Sequence, residues 1–287
     1  MESGGFRHRT WLSAEGLTLH ARDYAAAEGY ARLPVICLHG LTRNARDFDA
    51  LAPWIAARGR RVLAVDVRGR GLSDRDPAAS YWLPTYADDV RRLAEALGIA
   101  RAIFVGTSMG GLIAMELAAI APALIAGAII NDVGPVLAPE GLARIGSYVG
   151  KAPVFESWDA AALYLQQQNK AALPHYAADD WRRMAGRMFR DDAGRVAADY
   201  DPAIAGAFAT GPLPADPWDR WRGLASGRPI LLLRGGLSDL LRAGDATRMV
   251  AEHDQACLRE IPNVGHAPML DEPEASAAIE RFLDEVP

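Results

Sequence analysis

Short, uninterrupted apolar runs alternate along this chain with segments of helical periodicity, and this alternation constrains the fold more than any other feature. The apolar runs predict buried strands at residues 34–38, 61–65, 102–105, 125–130, 229–233 and 257–261. The periodic segments predict helices at 47–58, 84–97, 109–120, 243–252 and 272–283. Strands that are apolar throughout are typical of a parallel sheet covered by helices on both faces, so the sequence predicts an α/β fold.

Two regions depart from this rhythm. Near the start, strand-like runs at 6–12 and 17–24 flank a turn-forming segment and predict an antiparallel hairpin. Between 133 and 217 there are helical pieces at 140–149, 157–168 and 178–189 but no buried strand. We therefore predict a core of residues 1–132 and 218–287 and a helical cap of residues 133–217. The cap is expected to cover the carboxyl edge of the sheet, where such folds bind ligands.

Composition narrows the classes of partner. The 287 residues carry a net charge of -5 without a run of lysine or arginine, which argues against nucleic acid and anionic membranes as partners. The N-terminus lacks the apolar region of a signal peptide, and the longest apolar stretch is interrupted by Glu116, Pro122 and Gly127. Cys37 and Cys257 fall in strands expected to lie far apart, so we predict no disulfide. We expect a cytoplasmic protein with a small-molecule substrate; the sequence does not predict its oligomeric state.

The segment Gly106-Thr107-Ser108-Met109-Gly110 stands between a predicted strand and a predicted helix. A sharp turn at such a junction exposes the central serine, and the glycines allow the close backbone approach that the turn requires. The helix that follows supplies amide donors and a dipole favourable to developing negative charge. Ser108 is therefore the predicted nucleophile. A dinucleotide-binding loop would need glycine at position 108, and a phosphate-binding loop would need a G-K-[ST] triplet that the chain lacks.

A serine hydroxyl needs a base to take its proton. His266 stands in a loop after the last predicted strand, from which its imidazole can reach Ser108, whereas the other histidines are predicted to be structural or on the surface: His8, His20, His39, His175 and His253. The third member should be a carboxylate in a loop at the same edge of the sheet. Asp239 is the predicted acid, and Asp132, which follows the preceding strand, is the alternative.

The oxyanion formed by attack on a carbonyl needs two hydrogen-bond donors. The backbone N–H of Met109, directly after the nucleophile, is the first. The second is expected from the loop after the first parallel strand, where Gly40 allows the N–H of Leu41 to face the site. His39 is predicted to be buried and to orient this loop. No H-E-x-x-H or C-x-x-C motif occurs, so no metal site is predicted.

These residues together resemble the α/β-hydrolase family. The resemblance rests on His39-Gly40, the segment from Asp66 to Ser73, the turn around Ser108, Asp239 and Gly265-His266. It implies a mostly parallel eight-stranded sheet with one antiparallel strand, a cap inserted after the sixth strand, and no cofactor. It also implies that Asp66 and Arg68 support the oxyanion loop rather than take part in the chemistry.

The resemblance also limits the reaction. Haloalkane dehalogenases and epoxide hydrolases carry aspartate where this chain has Ser108. Carbon–carbon bond hydrolases of ring-cleavage products often have tryptophan after the histidine, where this chain has Ala267. The prediction is hydrolysis of a small or medium apolar carboxylic ester or lactone through an acyl-enzyme. Carbon–carbon bond hydrolysis stays open as an alternative, as does a small-molecule receptor on the same fold.

Overall fold

The computed structural model describes residues 5–27, 32–206 and 216–286. It begins with the predicted hairpin, β1 (Arg7–Leu12) and β2 (Thr18–Tyr24). The next elements are β3 (Val35–Leu38), α1 (Leu51–Ala56), β4 (Val62–Asp66), α2 (Leu83–Ala96), β5 (Ala102–Thr107), α3 (Met109–Ile120) and β6 (Ile125–Asn131). A short 3₁₀ helix, Ala45–Phe48, precedes α1, and a second, Pro122–Leu124, precedes β6.

The alternation resumes after a long insertion. Its elements are α7 (Trp218–Ala225), β10 (Ile230–Gly235), α8 (Ala243–Ala251), β11 (Ala256–Ile261) and α9 (Pro273–Glu285). The helix α7 was not predicted. It buries Trp218, Trp221 and Leu224 against the core.

Eight strands form one sheet in the order β1-β2-β4-β3-β5-β6-β10-β11. The strand β2 pairs antiparallel with both β1 and β4, and the other pairings are parallel. The expected mostly parallel sheet of eight strands with one antiparallel strand is therefore confirmed. Its central strands β3, β4 and β6 are buried along their whole length, as their uninterrupted apolar sequences predict.

The insertion between β6 and α7 contains the three predicted helices, α4 (Pro139–Gly146), α5 (Trp158–Asn169) and α6 (Ala178–Met188). It also contains three short strands, β7 (Val154–Phe155), β8 (Phe189–Asp192) and β9 (Arg195–Ala198), which form a small antiparallel sheet in the order β7-β9-β8. The expectation of an all-helical insertion was wrong on this point. Residues 207–215 of the insertion lie outside the described residues, and the division of the chain at 132/133 and 217/218 stays a prediction.

The two cysteines lie on strands separated by three others, Cys37 on β3 and Cys257 on β11, and both are free thiols. Neighbouring strands are about 4.8 Å apart, so no disulfide can join them. Among the described residues, no helix combines the length and the apolar character that a membrane span requires.

Candidate active site

Ser108 lies at the turn between β5 and α3 with φ +51° and ψ -115°, a backbone conformation that L-residues rarely adopt. The two flanking glycines explain how this turn fits. A Cβ on Gly106 would lie 2.6 Å from backbone atoms of Gly110, and a Cβ on Gly110 would lie 2.0 Å from the carbonyl oxygen of Leu38. The turn is anchored by the Ser108 N–H, which donates to the carbonyl of Asn131 over 2.9 Å.

His266 accepts a hydrogen bond from the Ser108 hydroxyl. The distance from Ser108 Oγ to His266 Nε2 is 2.9 Å. The other ring nitrogen, Nδ1, donates to Oδ2 of Asp132 over 2.8 Å. The structure thus brings together the predicted nucleophile and the predicted base. Because the carboxylate oxygen of Asp132 accepts from Nδ1, the contacts fit the tautomer in which Nε2 is free to accept the serine proton.

The carboxylate at His266 belongs to Asp132, so the prediction of Asp239 as its partner was wrong and the alternative fits the geometry. Asp132 directly follows β6, the neighbour of β5, whereas Asp239 follows β10, which is one strand further away. Asp239 instead accepts two hydrogen bonds from Arg144 of α4, at 2.5 and 2.8 Å. These bonds hold the pKa of Asp239 below its ordinary value.

The loop expected to supply the acid holds Asp132 in place. The backbone N–H of Gly235 donates to Asp132 Oδ1 over 2.8 Å, and the Ser238 hydroxyl donates to Oδ2 over 2.6 Å. Asp132 is fully buried. Buried carboxylates need such bonds, because an unsatisfied ionised group costs several kcal/mol away from water. Sequence reasoning missed Ser238, which differs from an ordinary turn serine only in its tertiary contact.

The two predicted oxyanion donors lie beside the nucleophile. Leu41 lines the cavity that contains Ser108. Met109, the residue directly after Ser108, is the first residue of α3. Within the described part of the chain, no acceptor is hydrogen-bonded to the N–H of Leu41 or to that of Met109. Two amides left without a protein partner at this turn fit the role of oxyanion donors.

His39 is buried behind this loop, as predicted. Its Nδ1 donates to the carbonyl of Gly40 over 2.8 Å, and its Nε2 accepts from the N–H of Val67 over 3.1 Å. Burial lowers the pKa of His39 to about 4, so the ring is neutral near pH 7. The ring therefore joins the loop after β3 to the segment after β4.

Of the arginines in the segment after β4, Arg70 supports the same loop, whereas Arg68 bonds to carboxylates elsewhere. Arg70 is buried, and it donates to the Leu41 carbonyl over 3.0 Å and lies 3.5 Å from the sulfur of Met109. It thus contacts both residues that are expected to supply oxyanion donors. Arg68, which was predicted to be a support, is buried in an ion pair with Asp89 at 2.7 Å. The role of Arg70 was not predicted. Arg68 and Arg70 stand two residues apart in the same segment, and the sequence does not indicate which of them contacts the loop after β3.

Ser108 and His266 open into a cavity of about 130 Å³. Its wall includes apolar side chains from the insertion, among them Ile145, Tyr148, Leu165, Met184 and Met188. The lining also contains charged and amide groups: Arg43, Asp47, Arg144, Gln168 and Asn169. The cavity is therefore less apolar than the sequence predicts.

The model of the alpha/beta hydrolase family matches residues 35–279. The chain is 34% identical over 258 residues to the 3-hydroxybutyrate-oligomer hydrolase of Cupriavidus necator, covering 87% of each protein. A solved α/β hydrolase from Novosphingobium aromaticivorans superposes with a TM-score of 0.92 at 44% identity, covering 99% of both chains. A structure of E-2-(acetamidomethylene)succinate hydrolase gives 0.82 at 27% identity, covering 97% of this chain and 99% of the other. The chain belongs to the α/β-hydrolase family.

Proposed function

We propose that this hydrolase cleaves carboxylic esters with Ser108 as nucleophile, His266 as general base and Asp132 as the residue that orients His266. The observation that carries the proposal is the unbroken line of hydrogen bonds from Ser108 through His266 to Asp132 at the wall of a cavity. A serine hydroxyl is activated by such an arrangement, in which a base is itself held by a third group.

In the first half of the reaction, Ser108 Oγ attacks the ester carbonyl carbon while His266 Nε2 takes the hydroxyl proton. The electron pair of the carbonyl moves to its oxygen, and the N–H groups of Leu41 and Met109 donate to that oxyanion. When the tetrahedral intermediate collapses, His266 returns the proton to the departing alcohol and the acyl group stays on Ser108. Asp132 remains ionised and stabilises the imidazolium during both transfers.

In the second half, water replaces the alcohol. The water oxygen attacks the acyl carbon while His266 takes a proton from the water. His266 then gives this proton to Ser108 Oγ as the acid leaves. The reaction consumes one ester and one water and yields one alcohol and one acid. No cofactor or metal takes part in any step of this mechanism.

The substrates we propose are short carboxylic esters, with esters of hydroxy acids among them. The cavity of about 130 Å³ fits a small acyl group. Its arginine and amide groups suit a polar substrate better than a purely apolar one. The relative from Cupriavidus necator is a hydrolase of 3-hydroxybutyrate oligomers, whose links are esters of this kind.

The test is hydrolysis of p-nitrophenyl butyrate, with labelling by a fluorophosphonate. We expect label on Ser108 alone and a loss of about 10⁴-fold or more in kcat for Ser108→Ala and for His266→Ala. The double variant should lose little more than either single one, because the three residues act as a unit. Label on another residue, or near-normal turnover by Ser108→Ala, contradicts the proposal. Binding of small molecules without turnover favours a receptor, and cleavage of a vinylogous 1,5-diketone acid without ester turnover favours carbon–carbon hydrolysis.

A further inference from the structure

A second cavity, of about 230 Å³, adjoins the one that contains Ser108. It lies between α6 and the segment that leads from His266 into α9. Met184 and Met269 line both cavities. Methionine side chains are unbranched and adaptable, so a ligand chain can pass between two of them more easily than between rigid side chains.

Four arginines line the two cavities. Three of them are paired with a carboxylate: Arg43 with Asp47, Arg144 with Asp239 and Arg183 with Asp180. The fourth, Arg187 in the second cavity, has a half-buried side chain that makes neither an ion pair nor a hydrogen bond within the described residues. A guanidinium that has no carboxylate partner can donate to an anion that enters the cavity.

Arg187 is held in position by its backbone. Its carbonyl accepts a hydrogen bond from Asn44 Nδ2 at 3.0 Å and another from Arg46 Nε at 3.1 Å. The loop after β3 therefore fixes the end of α6 that carries Arg187. These bonds fix the backbone from which the Arg187 side chain extends.

Within the described residues, none of the three acidic groups that line the second cavity is bonded to Arg187. Asp180 is engaged by Arg183 and by the N–H of Ala177 at 2.7 Å. Glu272 accepts from the N–H of Met269 at 2.7 Å, and burial raises its pKa. Asp271 is exposed at the rim.

We propose that the second cavity is a carboxylate subsite of the active site, in which Arg187 binds the free carboxylate of an ester whose scissile carbonyl lies at Ser108. The inference rests on the proposed function and specifies its substrate class: short oligoesters of hydroxy acids with a free carboxylate end. The substrate chain would extend from the first cavity past Met184 and Met269. A neutral ester of the same length would lack the contact with Arg187.

The experiment compares two substrates, the linear trimer of 3-hydroxybutyrate with a free carboxylate and the methyl ester of the same trimer. For each protein, kcat/KM is measured on both, and their ratio is taken. The ratio is independent of the fraction of folded enzyme, so a partly unstable variant still gives an answer. In the wild type we expect the free acid to be the better substrate.

Arg187→Gln should lower the ratio by about tenfold or more, since a charge-assisted hydrogen bond is lost. Arg187→Lys, which keeps the charge without the planar fork, should give an intermediate ratio. Arg183→Gln is the matched control, because Arg183 lies on the same helix and lines the same cavity but is 65% exposed and paired with Asp180. Its ratio should stay within about twofold of the wild type, since exposed pairs contribute little.

Three outcomes overturn the inference, and they distinguish its failure from that of the proposed function. If the wild type hydrolyses p-nitrophenyl butyrate but Arg187→Gln keeps the wild-type ratio, or if Arg183→Gln lowers it equally, the carboxylate subsite is wrong and the proposed function stands. If the wild type hydrolyses no ester, the proposed function fails and the inference fails with it.

Discussion

Ser108 and Asp132 are both held in left-handed backbone conformations, with φ +51° and +55°. Such conformations cost of order 1–3 kcal/mol for residues other than glycine and persist only where the surroundings enforce them. Here backbone hydrogen bonds do so: the N–H of Ser108 donates to Asn131, and that of Asp132 donates to Leu233 at 2.8 Å. The residues at the centre of the proposed chemistry are thus fixed by the ends of β6 and β10.

The roles of the two aspartates can be separated by amide substitution. Asp132→Asn should lower kcat by about 10⁴-fold, because an amide has one acceptor oxygen and cannot accept both from Gly235 on one side and from Ser238 and His266 on the other. The imidazole then loses its orientation. Asp239→Asn should change kcat by less than about tenfold, since it removes only the partly exposed ion pair with Arg144. Steady-state kinetics on p-nitrophenyl butyrate measures both values.

Circular dichroism of the two variants is the control for folding. A large loss in Asp239→Asn with a small loss in Asp132→Asn would return the role to Asp239. Equal, modest losses would mean that the two carboxylates substitute for each other.

Sequence reasoning could find the serine and the histidine but not choose the acid. Ser108 is marked by glycines on either side at a strand–helix junction, and His266 by its place after the last strand. Asp132 and Asp239 follow neighbouring strands, so both reach the same edge of the sheet. What separates them is Arg144, which draws the side chain of Asp239 towards the insertion. That contact joins residues that are 95 apart in the sequence, and no local pattern encodes it.

At the scale of elements, apolar content decided what could be predicted. Strands of the central sheet are uninterrupted apolar runs, and their predicted bounds agree with the structure to within a few residues. The strands β8 and β9 contain four charged residues, Arg190, Asp191, Asp192 and Arg195. Such a charged sequence is typical of a solvated surface and does not predict a strand. They are joined by Ala193 and Gly194, both with positive φ, as tight hairpins require. Alanine is not a residue typical of such turns, so Ala193 did not predict the hairpin.

The burial of His39 between the loop after β3 and the segment after β4 should make stability depend on pH. The pKa of His39 is about 4 in the fold, against an ordinary value of 6.5. Between these values the unfolded chain binds a proton that the folded chain does not, so the free energy of unfolding should fall as the pH falls from 6.5 to 4. The loss attributable to His39 should reach up to about 3 kcal/mol.

Urea unfolding of the wild type and of His39→Gln at several pH values measures this effect. The variant lacks the titrating group, so its stability should fall less steeply between pH 6.5 and pH 4. Other groups that titrate in that range affect both proteins and cancel in the comparison. Equal slopes would show that the protonation of His39 does not limit stability.

At the scale of the whole molecule, the active site depends on the fit between the sheet and the inserted segment. The sheet supplies Ser108 and the loops with Asp132 and His266, while the insertion supplies one wall of the cavity. Asp239 and Arg144 join the two parts at 2.5 Å. Under the proposed function, the wall therefore determines which esters fit, whereas the edge of the sheet carries the chemistry.

The volume of the cavity leads to a prediction about acyl chain length. Each methylene that enters an apolar site contributes up to about 0.8 kcal/mol, which is nearly fourfold in kcat/KM, until the space is full. With about 130 Å³ beside Ser108, we expect kcat/KM on p-nitrophenyl esters to rise over the first few carbons, peak at short to medium chains and then fall. Ile145→Ala, which removes part of the wall, should move the peak to longer chains. A rate that climbs steadily to palmitate, with activation at a lipid interface, would contradict a cavity of fixed size and indicate a lid that opens over lipid.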